Sequence, residues 1–334
     1  MPKTKASYTP NLQLLMNITI LDGYTLNPGD LNWSMIEQLG DTTIYDRTSA
    51  EQVVERAKNA DILLSNKVVL SKIILDQLPR LKCIVVMASG YNNIDVEAAK
   101  ERAIPVCNAS GYSTPGVAQH VFALILACLN KVETYNQSVQ NGDWSKSPDF
   151  CYTLNSIHEL TGKTLGIYGL GKIGNKVVDI ALAFDMKVLA THKHPIRDAR
   201  EGVSFVDLES LFEQSDFISL HAPLNESNQQ IVDRDLLSKM KSTAYLINTG
   251  RGGLIQELDL KEALENGQLA GAALDVLSSE PPQNGNPLIG TKNCILTPHV
   301  AWASFQSRER LMQICADNIK GFLENNLQNV VNGV

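Results

Sequence analysis

The run Thr164-Leu-Gly-Ile-Tyr-Gly169-Leu-Gly171-Lys172-Ile173-Gly174 reads as a buried strand that ends in a glycine turn and opens directly into a helix. Each glycine has its own task in such a turn. Gly169 permits the sharp exit from the strand, Gly171 lets backbone approach a ligand, and Gly174 lets the helix lie close to the sheet. The arrangement aims free N–H groups and the positive end of a helix dipole at one point, which suits a dinucleotide pyrophosphate. A glycine-rich turn alone is a weak signal, and a plain turn without ligand is the ordinary alternative. Context favours the dinucleotide seat, and with it a nicotinamide cofactor. Leu165, Ile167 and Tyr168 precede the turn at strand spacing, and Ile173, Val177, Val178, Ile180, Ala181 and Ala183 follow it at helical spacing.

With 334 residues the chain exceeds one ordinary core, and about 150 residues per domain predicts two. A net charge of −7 and the lack of any Lys or Arg block argue against nucleic acid or an anionic membrane as partner. The longest apolar stretch, Val117 to Leu129, is interrupted by Gln119 and His120 and falls short of the roughly 20 residues a membrane span needs. It reads as a buried helix. The segment Met1 to Asn11 lacks the apolar core of a signal peptide, so a cytoplasmic location is expected. The six cysteines, at 83, 107, 128, 151, 294 and 315, lack C-x-x-C spacing. They fit reduced thiols better than a disulfide framework or a metal site, and no metal is expected.

Short apolar runs alternate with helical patterns nearly from end to end, the rhythm of an α/β protein with parallel sheets. Strands are predicted at 17–21, 43–45, 62–65, 84–87 and 105–107 in the first third, and at 187–190, 217–220, 244–247, 270–274 and 294–296 after the glycine turn. Helices fall between them, a long one begins after Pro115, and a last one spans 304–323. The polar stretch from Asn136 to Thr161 reads as a loop.

Three titratable groups stand where strands of the second half end: Arg251 in Asn248-Thr-Gly-Arg-Gly-Gly, Glu280 before Pro281-Pro282, and His299 in Leu296-Thr-Pro-His. Parallel sheets present ligands at that edge. Hydride chemistry on a carbonyl needs a proton donor, a clamp for oxygen and carboxylate, and a group that orients the acid; His, Arg and Glu supply these. Each has a plainer reading, as a solvated cap, a turn residue or a structural histidine. Their joint occurrence downstream of a dinucleotide seat favours chemistry.

The sequence resembles the D-isomer-specific 2-hydroxyacid dehydrogenase family, and within it the glycerate dehydrogenase and hydroxypyruvate reductase group. The resemblance rests on six segments in the family's order: Ala88-Ser-Gly-Tyr-Asn-Asn-Ile-Asp95, the Gly169–Gly174 turn, Ser219-Leu-His-Ala-Pro-Leu224, Asn248–Gly252, Ala273-Leu-Asp-Val276 with Glu280-Pro281, and Pro298-His299. It implies two doubly wound parallel-sheet domains, a Rossmann domain at 105–299 inserted into a flavodoxin-like substrate domain made of 1–104 and 300–334. It implies reduction of small 2-keto acids such as hydroxypyruvate or glyoxylate to D-glycerate or glycolate. By the same resemblance His299 is the acid and base, Glu280 holds its other ring nitrogen, and Arg251 grips the substrate. Ser89 and Gly90 offer backbone N–H groups to the substrate carboxylate. Gly169, Gly171, Lys172, Ile173 and Gly174 seat the pyrophosphate, Ala222 and Pro223 pass under the cofactor, Thr249 and Gly250 line the nicotinamide ribose, and Asp275 contacts the carboxamide side.

Departures from the family pattern bear on selectivity. Roughly twenty residues past the glycine turn, where an acid would bind the ribose 2′-hydroxyl, stand Thr191, His192 and Lys193. These suit a 2′-phosphate, so NADP is favoured over NAD, unless the cluster is only a solvated loop. Gln119 replaces a Glu usual in the family, and Trp302 replaces a smaller residue near His299. Family members are commonly homodimers through the region after Pro115, which gives Trp144 either an interface or a loop-anchoring role. A nucleotide-sensing corepressor on the same fold and a D-lactate-type dehydrogenase are the alternative functions.

Overall fold

Short buried strands such as Ile62-Leu-Leu-Ser65 and Cys83-Ile-Val-Val86 are covered on both faces, which is why they carry no polar alternation. The computed structural model describes residues 16–334, so the reading of Met1 to Asn11 lies outside the described residues. The chain forms two compact units, one from residues up to 113 together with 305–334, the other from residues 114–304.

The first unit holds β1 (Asn17–Ile20), β2 (Asp41–Ile44), β3 (Ile62–Ser65), β4 (Cys83–Val86) and β5 (Val106–Cys107), parallel in the order β2-β1-β3-β4-β5. That is the flavodoxin-like order. The helix Phe305–Leu323 belongs to this unit and buries Leu311, Met312, Cys315 and Ile319. Two boundaries differ from expectation: residues 300–304 fall in the second unit, and residues 105–113 stay with the first. Val106 pairs with Ile84, donates its N–H to Asn332 Oδ1 (3.0 Å) and accepts from the N–H of Val331 (2.9 Å), so sheet pairing and the C-terminal tail both hold it.

The second unit holds β6 (Thr164–Tyr168), β7 (Lys187–Thr191), β8 (Val203–Phe205), β9 (Phe217–Leu220), β10 (Tyr245–Asn248), β11 (Gly271–Leu274) and β12 (Cys294–Leu296). They form one parallel sheet in the order β12-β11-β10-β9-β6-β7-β8. The order reverses between β6 and β9, the switch point at which doubly wound sheets bind ligands. The helix Thr114–Asn130 packs Ala118, Val121, Phe122 and Ile125 into a core shared with Val177, Val178 and Ala181 of the helix Lys172–Ala183. Among the described residues no single helix is long and apolar enough to cross a membrane.

Two features depart from the sequence reading. The stretch expected to be a loop from Asn136 contains the end of the helix Val132–Gln140 and the short helix Asp143–Lys146. Both follow left-handed residues, Lys131 at φ 47° and Gly142 at φ 82°, which redirect the chain without ending helical structure. The strand β8 was not expected either; it is three residues long and only partly buried, so its sequence carries little apolar signal.

Candidate active site

The glycine turn leaves β6 beside the exit of β9. Gly169 has φ +97°, and a Cβ there would lie 2.5 Å from the Ala222 nitrogen, so both conformation and space demand glycine. A Cβ on Gly174 would lie 2.4 Å from the Gly169 oxygen, which accounts for the close seating of the helix Lys172–Ala183. Gly171 is different. No protein atom lies within 4 Å of its added Cβ, and the residue is exposed, so its open side faces the approach to the first turn. The first helical N–H to close a turn is that of Asn175 onto Gly171 O, which leaves the N–H groups of Lys172, Ile173 and Gly174 outside the helical ladder. These are the groups that hold an anion.

Further along the same edge, the Asn248 side chain shapes the loop after β10. Its Oδ1 accepts from Gly250 N–H (2.9 Å) and its Nδ2 donates to Arg251 O (2.9 Å). Thr249 is buried, and its hydroxyl has no hydrogen-bond partner in the protein. A buried orphan hydroxyl asks for a partner supplied from outside the chain. Open backbone at Gly171, unpaired N–H groups and this hydroxyl together fit a bound dinucleotide. Ala222 and Pro223 follow β9, with Pro223 O fixed by Asn228 Nδ2 at 2.8 Å.

At the far end of β7 the structure modifies the expectation. His192 is not free to hold a phosphate: its Nδ1 accepts from Leu170 N–H (3.1 Å), and its Nε2 faces Asp198 Oδ2 at 2.7 Å. The Thr191 hydroxyl donates to Val206 O (2.9 Å). A carboxylate does stand at this site, brought back by the loop after β7. Arg197 binds Asp198 through Nε (2.8 Å) and Nη2 (2.6 Å), and this pairing, with help from His192, holds the Asp198 carboxyl well below the usual range. Lys193 is exposed and makes none of these bonds.

The three strand-end residues all lie in the second unit. His299 follows β12 with φ +53°, a left-handed conformation uncommon for a residue with a side chain. Its Nδ1 lies 2.6 Å from Glu280 Oε2, and Glu280 Oε1 accepts from Leu277 N–H at 2.8 Å. With Nδ1–H donated to the carboxylate, Nε2 is the atom left to exchange a proton. Each side chain keeps about a third of its surface exposed, 31% and 34%. Arg251 is exposed and donates Nη1 to Gly250 O (2.9 Å), with the rest of its planar fork free of protein acceptors among the described residues.

Asp275 has a larger structural role than expected. It is 1% exposed, its Oδ1 accepts from Thr297 Oγ1 and Val300 N–H, and its Oδ2 accepts from Ala301 N–H. The side chain has no exposed surface, so the structure does not present the free carboxylate expected on the carboxamide side. The expected substrate-side pair lies in the first unit. Ser89 and Gly90 follow β4, Ser89 Oγ donates to Ala109 O (2.8 Å), and Ser89 O accepts from Asn108 Nδ2 (2.7 Å). Their backbone N–H groups find no acceptor among the described residues. Among the described residues no group of three or more His, Cys, Asp or Glu is placed to hold a metal ion.

Residues 122–301 match the family model described as D-isomer specific 2-hydroxyacid dehydrogenase, NAD binding domain. The chain is 44% identical over 322 residues to a hydroxypyruvate reductase of Blautia hydrogenotrophica, covering 95% of this chain and 100% of that one. The chain belongs to the D-isomer-specific 2-hydroxyacid dehydrogenase family. A glycerate dehydrogenase of Methylorubrum extorquens is 42% identical over 290 residues, 86% of this chain and 90% of that one. An acyclic imino acid reductase solved with NADPH and D-Arg superimposes with a TM-score of 0.83 at 34% identity, over 95% of this chain and all of that one. As a member of the D-2-hydroxyacid dehydrogenase family the chain is an NAD(P)-dependent oxidoreductase, and the corepressor alternative is not favoured.

His120 and Thr297, which meet Asp275, and Asp198 were missed by sequence reasoning. The interruption of an apolar helix by His120 was the one available signal; nothing local marks the others.

Proposed function

We propose that this chain reduces small 2-keto acids of the hydroxypyruvate and glyoxylate type to D-2-hydroxy acids, with NADPH preferred over NADH. The observation that carries the proposal is the His299–Glu280 pair, 2.6 Å apart, at the carboxyl edge of the sheet that also carries the glycine turn and Arg251. The cofactor supplies a hydride to the 2-keto carbon. Gly169 to Gly174 bind its pyrophosphate, Thr249 and Gly250 its nicotinamide ribose, and Ala222 and Pro223 line its underside.

His299 Nε2 delivers the proton to the carbonyl oxygen as the hydroxyl forms, and Glu280 stabilises the imidazolium that does so. Arg251 pairs with the substrate carboxylate through two N–H groups, a geometry lysine cannot copy. In the first unit, the backbone N–H groups of Ser89 and Gly90 would suit a carboxylate. For the cofactor, Lys193 is the cation that meets a 2′-phosphate. Asp198 is already engaged by three donors, which lowers its capacity to accept from a ribose 2′-hydroxyl.

The test is a steady-state comparison of NADPH and NADH with hydroxypyruvate, glyoxylate, pyruvate and longer 2-keto acids, followed by loss of reduced-nicotinamide absorbance. Turnover of hydroxypyruvate with NADPH supports the reading; no turnover with any of the acids refutes it. His299→Asn should retain cofactor binding and lose turnover. Lys193→Ala should raise the KM for NADPH about tenfold and leave that for NADH unchanged. The exposed apolar side chains Val132, Trp144, Phe150 and Ile157, with Phe150 91% exposed, support a homodimer through this region. A monomeric mass in light scattering would remove that part.

A further inference from the structure

The imidazole of His120 projects from the helix Thr114–Asn130 onto the residues that fix the His299 loop. Its Nε2 lies 3.1 Å from Thr297 Oγ1 and 3.5 Å from Asp275 Oδ1. The single Thr297 hydroxyl proton goes to Asp275 Oδ1, so the hydroxyl meets His120 with a lone pair, and His120 donates through Nε2–H. This tautomer follows from the donor count.

Asp275 holds the loop at three successive positions, once through its backbone carbonyl and twice through the carboxylate that receives the Thr297 hydroxyl. His299 N–H donates to Asp275 O (2.8 Å), Val300 N–H to Oδ1 (2.9 Å) and Ala301 N–H to Oδ2 (2.8 Å). These bonds span the residue at φ +53°. A left-handed histidine persists only where its surroundings over-determine it. Release of the Asp275 carboxylate from its place would let residues 300 and 301 relax and carry the adjoining His299 ring away from Glu280. His120 and Thr297 fix the rotamer of that carboxylate through Oδ1, the oxygen that also receives Val300 N–H, in a region where the Asp275 side chain has no exposed surface.

We propose that His120 is a positioning residue for the reaction: through Thr297 it locks the Asp275 carboxylate that clamps residues 300 and 301, and so holds the adjoining His299 ring at its working angle. This rests on the reading of His299 as the proton donor. His120 does not touch substrate, and its effect is on the rate of the proton-coupled step. Displacement by about 1 Å of a reacting group costs on the order of a hundredfold in rate. Arg251, which anchors the carboxylate end of substrate, is outside this network.

The experiment compares the holoenzyme with His120→Leu, His120→Gln, Thr297→Val, Thr297→Ser and the double variant His120→Leu/Thr297→Val, with His299→Asn in parallel. Readouts are kcat, KM for hydroxypyruvate, Kd for NADPH by nucleotide fluorescence, and Tm. The expected pattern is a ten- to hundredfold fall in kcat for His120→Leu and Thr297→Val, with KM and Kd within about twofold. His120→Gln, which keeps a side-chain N–H donor, and Thr297→Ser should recover most of the rate. The double variant should be no slower than the slower single one, because both remove one linkage. Full kcat in His120→Leu, no rescue by Gln, or additive losses overturns the proposal. If His120→Leu does not fold, the Thr297→Val and Thr297→Ser pair decides: equal rates overturn it. An active His299→Asn would instead overturn the underlying functional reading.

Discussion

Gly252→Ala puts the geometry of the site under a direct steric load. Gly252 is buried and begins the turn Gly252–Leu254 immediately after Arg251. Its backbone does not require glycine by torsion; the obstacle is space. A Cβ there would lie 1.9 Å from the Leu277 carbonyl carbon, 2.1 Å from its oxygen and 2.4 Å from Ser278 N. These atoms are backbone, and they are pinned: Ser278 donates N–H and Oγ to Glu257 at 2.8 and 2.6 Å, and Leu277 N–H donates to Glu280. Ordinary contact starts at 3.4 Å. The peptide must therefore retreat by about 1.5 Å, taking with it the strap that carries Glu280, or the Arg251 loop must move instead; overpacking of this kind costs about 1–3 kcal/mol. For a domain of this size, at about 2–4 °C per kcal/mol, that lowers Tm by roughly 2–12 °C. A shift of that size between Glu280 and His299, or of Arg251, predicts a loss in kcat/KM on the order of a hundredfold. The assay is steady-state kinetics with hydroxypyruvate and NADPH beside calorimetric melting, with Gly253→Ala as control. There the Cβ meets only the Leu224 Cδ2 tip at 2.8 Å, on a side chain that is 40% exposed and free to turn. Turnover of Gly252→Ala within threefold of the parent, or an equal loss in Gly253→Ala, would refute the steric argument.

Three further outcomes are expected. Gly171→Ala meets no protein atom within 4 Å, so the cofactor-free protein should lose less than about 1 kcal/mol, while NADPH Kd, read by fluorescence titration, rises at least tenfold. His221, bonded at Nε2 to Ser219 Oγ (2.8 Å), is pushed by burial down to about 4 from 6.5, so below pH 6.5 the unfolded chain binds a proton that the fold refuses. Its contribution is intact above pH 6.5 and is lost as pH falls towards 4, by up to about 1.4 kcal/mol per unit before a discount for partial exposure; urea melts at pH 7 and 5 should show His221→Gln with the shallower dependence. Burial pushes Cys128 and Cys315 up to about 12 and Cys294 up to about 11, whereas Cys151 is exposed. One thiol per folded chain should therefore react quickly with an alkylating dye, and mass mapping should find it at Cys151.

The parallel sheets were legible because burial on both faces leaves an unmistakable trace: runs such as Cys83-Ile-Val-Val86 cannot sit at a surface. What escaped was structure with little apolar content. The strand Val203–Phe205 is only partly buried and joins the sheet edge through β7, so its evidence lies in backbone pairing. The helix Val132–Gln140 buries only Ser138 among its residues, and polar sequence of that kind reads as loop. Residues 105–113 were assigned to the wrong unit for a related reason. The partners that hold Val106, Val331 and Asn332, come from the far end of the chain.

The candidate site divides along the same line. Arg251, Glu280 and His299 could be picked out because strand ends are marked by local pattern, and Gly169 because a turn of that tightness tolerates no side chain. His120, Thr297 and Asp198 act through bonds to residues distant in sequence or reached by a loop that folds back, and no spacing rule encodes those encounters. Asp275 shows the consequence most clearly. From sequence it is an acid at a strand end, fit for a ligand; in the fold, most of its acceptor capacity is spent on Thr297, Val300 and Ala301. An acidic residue with 1% exposure is tolerable only when its oxygens are met in this way, so the same bonds that make its burial possible also give the His299 loop its unusual conformation. Burial of that carboxylate and the left-handed turn at His299 are therefore one structural fact, and substitutions that loosen either should loosen both.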